Sequence, residues 1–404
     1  MVKNTKLKRS LGLPLVTLYG LGNILGAGIY VLVGKVAGYA GTSTLLSFLI
    51  AMLVASLTAF SYMELAGRYP VSASVSVYLH KAFGKRWLSL LIGLAMVAGG
   101  VASAAALSQG FAGYLGAFFA VPKVIASVGL LVVLGLIAIK GIGESAKTAA
   151  VLTLVEAAGL VLIIWYGRSA ITSANLSSFT HIDPLVGISG VFAGAFLAFY
   201  AFIGFEDMVN IAEEVKNPRR TMPLAILFAL LASTALYLLV VLVSTTVVSP
   251  ADLAKSNAPL AVVFERSGGQ GGLILAGIGM MAAVNGVIVQ IIMGSRIMYG
   301  LAKQGWVHSS FSRLHNAYKT PYPATLFVLV LMILATLMLP LVSLAQITSL
   351  LVLSIFLLVN VSLVIIKRRS EKHNGYISVP QIVPYSGAFL CGAMIVYQAV
   401  LWSL

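Results

Sequence analysis

Three carboxylates interrupt apolar runs in this sequence: Glu156 in Val151-Leu-Thr-Leu-Val-Glu-Ala-Ala-Gly-Leu160, and the adjacent pair Glu206 and Asp207 after Phe202-Ile-Gly-Phe205. Acids in such surroundings can hold a cation, carry a proton, or serve as general acid and base in an enzyme. Enzyme chemistry needs partners that the chain does not offer. Cys391 is the single cysteine, and His80, His181, His308, His315 and His373 are scattered without metal-ligand spacing. A Walker motif and a Ser/His/Asp arrangement are both missing. Gly20-Leu-Gly22 starts like a dinucleotide-binding turn, but the glycine spacing then fails and no strand precedes it. No catalytic residue, no metal, no cofactor and no disulfide are expected.

A second kind of chemistry belongs to the backbone. Gly20, Gly22, Gly26 and Gly28 crowd one apolar segment, with Asn23 among them. Glycine costs a helix interior about 1 kcal/mol relative to alanine, and unwound backbone at membrane depth survives only where it lines a cavity. Gly26-Ala27-Gly28 is therefore expected to break the helix at half depth; the competing reading is close helix packing through Gly22 and Gly26. Gly204, between aromatics and followed by two acids, predicts a second break; the alternative places Glu206 and Asp207 near a membrane surface.

The elements that must position these groups follow from composition. Of 404 residues, 60% are hydrophobic and 9% charged, with mean hydropathy +1.02, too little polar surface to coat a soluble domain. An all-α integral membrane fold is expected, with about 11 transmembrane helices at about 11–40, 41–66, 87–119, 123–140, 148–167, 187–212, 222–248, 271–302, 321–339, 342–366 and 383–403. The segment from Leu11 is too long for a signal peptide and reads as a retained first helix. The 26 Lys and Arg residues divide 21 to 5 across these spans, so the net charge of +15 is topological. A multi-pass plasma-membrane protein with a cytoplasmic N-terminus and an outer C-terminus is expected, with the lipid bilayer rather than nucleic acid as partner. Asn175-Leu-Ser177 is a glycosylation sequon on the expected outer side.

The interruptions fall in the first and sixth spans, which divides one transporter domain into 11–168, 187–367 and an additional C-terminal helix at 383–404. Broken helices at corresponding places in two halves point to a transporter's midplane site. Freed N–H groups near Gly26 to Gly28 suit a carboxylate, and freed carbonyls near Ile203 and Gly204 suit an ammonium, so a zwitterionic amino acid satisfies both.

Gly22-Asn-Ile-Leu-Gly-Ala-Gly-Ile-Tyr30, Tyr62-Met-Glu-Leu-Ala-Gly-Arg-Tyr-Pro70, Gly204-Phe-Glu-Asp207 with Ala212-Glu-Glu-Val-Lys-Asn-Pro-Arg219, Ser295-Arg-Ile-Met-Tyr-Gly-Leu-Ala302 and Thr320-Pro-Tyr-Pro-Ala324 stand in order along the chain. With these motifs the sequence resembles the amino acid-polyamine-organocation (APC) transporter superfamily, in particular bacterial amino-acid permeases and the cationic amino-acid transporter branch. The resemblance implies the leucine-transporter fold, with two inverted five-helix repeats and alternating access. It places Gly26, Ala27 and Gly28, with Ile29 beside them, at the substrate carboxylate, and Phe202, Ile203 and Gly204 at the amino group. Phe205 would be an aromatic lid, with ordinary helix packing as the alternative. Two departures stand out: Val71-Ser-Ala-Ser-Val-Ser-Val-Tyr78 replaces the usual glycine-rich stretch, and relatives have twelve or more spans.

Glu156 is the first candidate for coupling. A carboxyl at that depth can take up a proton and release it as the cavity opens to either side; the competing role is a structural bond to a neighbouring helix. In several members of the family that the sequence resembles, the comparable place on the fifth helix holds a lysine, so the charge type is reversed here. Glu206 and Asp207 are further coupling candidates, or acids that favour cationic substrates. Glu64 and Arg68, with Glu213, Glu214, Lys216, Arg219 and Arg220 on the same side, suggest an inner gate, though a solvated charged face fits equally well. Asn23 and Asn285 are candidates for the path, and Gln290 is a further polar group in the span of Asn285; interhelical bonding is the alternative for Asn285 and Gln290. The expected function is secondary transport of amino acids, coupled to protons or to an exchanged amino acid; a substrate-sensing protein on the same scaffold is the alternative.

Overall fold

Backbone polar groups in lipid must be satisfied within the segment that carries them, which leaves helices as the form for long apolar runs. The computed structural model describes residues 9–70, 74–141, 146–173, 182, 186–369 and 376–403, and the expected spans are helical there. The sequon, His181, His373, Lys3, Lys6, Lys8 and Lys372 lie outside the described residues.

In chain order the helices are α1 (Leu13–Ala40), α2 (Thr44–Arg68), α3 (Ser74–Phe83), α4 (Arg86–Leu115), α5 (Lys123–Lys140), α6 (Ala146–Tyr166), α7 (Arg168–Ser173) and α8 (Gly187–Ala198). There follow α9 (Pro218–Val247), α10 (Pro250–Lys255), α11 (Pro259–Arg266), α12 (Gly272–Lys303), α13 (Tyr322–Met338), α14 (Leu341–Arg369) and α15 (Ile382–Ser403). Short 3-10 segments cover Gly41–Ser43, Phe199–Phe202, Phe205–Glu214 and Ser309–Ser312. Among the described residues nine stretches are apolar and long enough to cross a membrane; the first, Leu13–Arg68, contains both α1 and α2, and α13 is a shorter apolar helix.

The division expected near residue 40 falls at Gly41, whose φ of 56° ends α1 while its N–H donates to the Ala37 carbonyl. The third span stops at Leu115 instead of 119, where Gly116 and the turn to Pro122 follow. Helices α3, α7, α10 and α11 are too short to cross a membrane and were not expected.

Burial is inverted relative to a soluble protein. Leu91, Leu136, Trp165, Met338 and Phe389 are more than half exposed, whereas Glu64, Glu156, Glu206, Asp207 and Asn360 are buried. An apolar outside, with acids and amides enclosed in a largely apolar core, describes a multi-pass membrane protein. α1 is enclosed by α6, α8, α9 and α12, and α4 packs on α12 and α14. At the other end of α1, the N–H groups of Ser10 and Leu11 donate to the Glu214 carbonyl (2.9 and 3.0 Å), and Lys216 N–H donates to the Leu11 carbonyl (2.8 Å).

Candidate functional site

Residue types alone break α1 in its middle. Gly26 has φ 19° and ψ −165°, outside helical geometry, and so divides α1 into two half-helices. Carbonyls before such a break lose their partners four residues on. Tyr237 of α9, fully buried, answers this loss: its hydroxyl donates to the carbonyls of Ile24 (2.6 Å) and Leu25 (3.3 Å).

The second break follows α8 and its 3-10 extension. Ile203 is extended (φ −71°, ψ 143°), and Gly204 has φ 132°, a region that side chains disfavour. Glu206 folds back so that its Oε2 accepts from the Gly204 N–H (2.8 Å), and the Asp207 N–H donates to the Gly204 carbonyl (3.2 Å). The two breaks meet. A Cβ on Gly204 would lie 2.3 Å from the Asn23 carbonyl oxygen, and one on Gly28 would lie 3.0 Å from Ala201 Cα.

Two cavities of about 50 Å³ each, room for a few waters, flank this junction. The central one is lined by Gly22, Asn23, Ile24, Gly26 and Gly28 of α1, by Tyr200, Ile203, Gly204 and Asp207, and by Ser103, Asn285 and Gln290. The second shares Ser103, Ile203, Asp207 and Gln290 and adds Tyr62, Met96, Glu206, Met293, Val352 and Phe356. Asp207, 7% exposed, therefore stands in the partition between them.

The structure thus gathers Asn23, Gly26, Gly28, Ile203, Gly204, Asp207 and Asn285 around one cavity and puts Glu206 on the adjoining one. Ala27 belongs to α1 between the two lining glycines. Ile29, Phe202 and Phe205 are fully buried and line neither cavity. Phe202 packs edge-on against Tyr237 (ring centroids 5.3 Å apart), and Phe205 lies between Tyr62 (5.6 Å) and Phe356 (5.1 Å).

Glu156 sits behind this site. It is fully buried on α6; its Oε1 accepts from Asn285 Nδ2 (3.2 Å), and its backbone carbonyl accepts from the Tyr30 hydroxyl (2.6 Å). Asn285 lines the central cavity and so connects Glu156 to it, while Asn285 Oδ1 is buried without a partner among the described residues.

Glu64 and Arg68 lie elsewhere, at the C-terminal end of α2. Glu64 Oε1 accepts from Arg68 Nε (2.9 Å) and Nη2 (2.6 Å), and Oε2 accepts from Lys367 Nζ (2.7 Å) and the Val379 N–H (2.8 Å). Arg68 also covers the Tyr376 ring at 4.7 Å. The partner that completes this cluster is Lys367 of α14.

Ser103 and Tyr200, joined hydroxyl to hydroxyl at 2.9 Å, and Tyr237 are site residues that sequence reasoning missed. A lone tyrosine in Thr234-Ala-Leu-Tyr-Leu-Leu-Val240 was the available signal for Tyr237, since a buried phenol needs an acceptor.

Comparison with known proteins bears on what this site serves. The sequence profile of the amino acid permease family matches residues 11–402. The branched-chain amino acid permease BcaP of Bacillus subtilis is 30% identical over 389 residues, covering 90% of this chain and 82% of its own. The methylthioribose transporter of the same organism is 27% identical over 96% of this chain and 88% of its own. Cationic amino acid transporter 4 of Mus musculus is 30% identical over 90% of this chain and 60% of its own. The match along nearly the whole chain, to a profile whose relatives are transporters, shows that this protein belongs to the amino acid permease family of the APC superfamily.

Proposed function

We propose that the chain is a secondary active transporter that moves amino acids across the plasma membrane by alternating access, with the proton as coupling species. The observation that carries this reading is the contact between two backbone breaks, at Gly26 and at Ile203–Gly204, beside a cavity in the middle of a helical membrane protein. Broken helices supply at once the donors and acceptors that a zwitterion needs. N–H groups that open the second half of α1, from Ala27 to Ile29, take the carboxylate, favoured by the positive end of the half-helix dipole. Carbonyls from Phe202 to Gly204 take the ammonium, with Asp207 as the nearest charge on the cavity wall.

In this reading the eleven helices α1, α2, α4, α5, α6, the broken α8 segment, α9, α12, α13, α14 and α15 are the spans. The first five and the next five form inverted repeats of the leucine-transporter kind. The Lys and Arg bias puts the N-terminus in the cytoplasm and the C-terminus outside. Relatives are named for branched-chain and for cationic amino acids, and side-chain choice is assigned to the walls of the second cavity.

Proton coupling is assigned to Glu156 because its carboxylate accepts from Asn285, which faces the cavity. A proton on the carboxyl, or its loss, changes what Asn285 can donate and accept at the site. The test is uptake of radiolabelled amino acids into proteoliposomes, driven separately by an inward proton gradient, a sodium gradient or preloaded cold substrate. Proton-driven accumulation is expected, and Glu156→Gln should abolish it while leaving substrate binding. Unchanged accumulation in that variant would remove Glu156 from the mechanism. Uptake confined to preloaded vesicles would make the protein an exchanger, and binding without uptake would make it a sensor.

A further inference from the structure

At the end of the bundle opposite Glu64 lies a larger cavity of about 280 Å³, between α1, α4, α5 and the turn that joins α10 to α11. Two ammonium groups stand in its wall. Lys35 Nζ donates to the Ala254 carbonyl (2.6 Å) and reaches the Ser256 carbonyl (3.5 Å), and Lys123 Nζ donates to Asn257 Oδ1 (2.8 Å). These acceptors are neutral. No carboxylate lines the cavity, and neither lysine has an acidic partner among the described residues; the ion pair nearest in sequence, Asp252 with Arg266, is closed on itself at 3.3 Å. Two cations lining one cavity, answered among the described residues by dipoles, favour an anion there.

Position gives the anion a source. Gly28 and Leu107 line the central cavity, and Val31 and Gly110, each three residues further along the same helices, line this one. At 1.5 Å per residue the two cavities stand about one helical turn apart along matching faces of α1 and α4. The join is tight because α4 is thin there: a Cβ on Gly110 would lie 2.4 Å from Val31 Cγ2 of α1, and one on Gly113 would lie 2.6 Å from the Asn257 carbonyl oxygen.

We propose that this cavity is an oxyanion site, formed by Lys35 and Lys123, that takes the carboxylate of an amino acid before it moves down to the break in α1. The identity of that ligand rests on the transport reading given above, whereas the charge of the site rests on the two lysines alone. The same chemistry would also accept the phosphate of an outer-leaflet lipid, since Lys123 is exposed beside the apolar Val124 and Ile125.

Site-resolved acylation of lysines in the purified full chain, read by mass spectrometry with acetate as probe, tests the site without any transport step. Acetate at about twice its dissociation constant should slow modification of Lys35 and Lys123 about threefold, by simple occupancy. Lys255, exposed at the end of α10, should be unaffected, and neutral acetamide should protect none of the three. Lys123→Gln, a change at an exposed position, should remove the acetate protection of Lys35. Equal effects of acetate and acetamide, or equal slowing of Lys255, would overturn the oxyanion site. In nanodiscs, protection by phosphatidylglycerol that acetate cannot add to would give the site to a lipid phosphate and overturn its role on the substrate path. Absence of uptake in proteoliposomes would leave the acetate readout standing, so the two readings fail separately.

Discussion

Glu64 and Glu156 are both fully buried carboxylates within a membrane protein, yet they are answered in different ways. Glu64 holds Arg68, Lys367 and a backbone N–H, and so ties α2 to α14 and to the segment leading into α15. Glu156 accepts from the neutral amide of Asn285, a residue that also fronts the central cavity. A carboxylate between two cations ties their segments together, and losing it strands both partners. One reached through an amide at a cavity wall can change state with what fills the cavity. Burial of an acid therefore says little until its partners are known: one end of the molecule is held by an ion-pair cluster, and in its middle an acid meets an amide at a cavity wall.

The sharpest way to break the comparison is to disturb the middle without touching an ionisable group. Gly204→Ala adds about 1–3 kcal/mol of backbone strain at φ 132°, and its Cβ would also lie 2.3 Å from the Asn23 carbonyl oxygen. The two breaks can no longer meet. A misplacement of about 1 Å at a reacting or binding centre costs about 100-fold, so initial uptake by Gly204→Ala in proteoliposomes should fall by at least about that factor. Because the ion-pair cluster at Glu64 is untouched, the protein should still purify as a folded, monodisperse species. Retained uptake would mean that the junction of the breaks is not where substrate sits.

Glu64→Gln probes the ion-paired end. Removing one partner of a buried ion pair costs about 3–5 kcal/mol, here with Arg68 and Lys367 both left near a neutral amide. Thermal unfolding in detergent should shift markedly downward, while the molecules that remain folded bind substrate as before. If stability held and substrate binding failed instead, Glu64 would belong with the middle and the contrast with Glu156 would collapse.

Much of the middle was legible in the sequence, because glycines and acids in lipid are costly and so carry information. Gly26 and Gly204 announced two breaks, Asn23 and Asn285 stood out as candidates for a path, and Asp207 as a candidate for coupling. The ion-paired end was half legible: Arg68 stands four residues after Glu64 on one helix, a spacing that sequence shows, whereas Lys367 comes from about three hundred residues away. Contacts of that separation leave no local pattern. The short helices α3, α7, α10 and α11 were missed for another reason, since six to ten residues are too few for hydropathy to mark. Phe205 shows the limit of motif reading, as its ring lies among Tyr62 and Phe356 and lines neither central cavity.

Tyr237 offers the mildest and most discriminating test, because it supports the middle from outside the cavity. Its hydroxyl is the donor that serves the Ile24 and Leu25 carbonyls where α1 breaks. Tyr237→Phe keeps the ring and its edge contact with Phe202, so packing is preserved and one hydrogen bond is lost. An acceptor left unsatisfied in a buried place costs about 1–3 kcal/mol. The free carbonyls can recover part of that by winding α1 back toward continuous helix, which would erase the N–H groups that face the cavity. The expected result is therefore an uptake rate reduced about tenfold, equivalent to about 1.4 kcal/mol, with thermal stability lowered only slightly. A loss of stability with uptake intact would instead make Tyr237 an ordinary core residue, and the break in α1 would then be held by Gly26 alone.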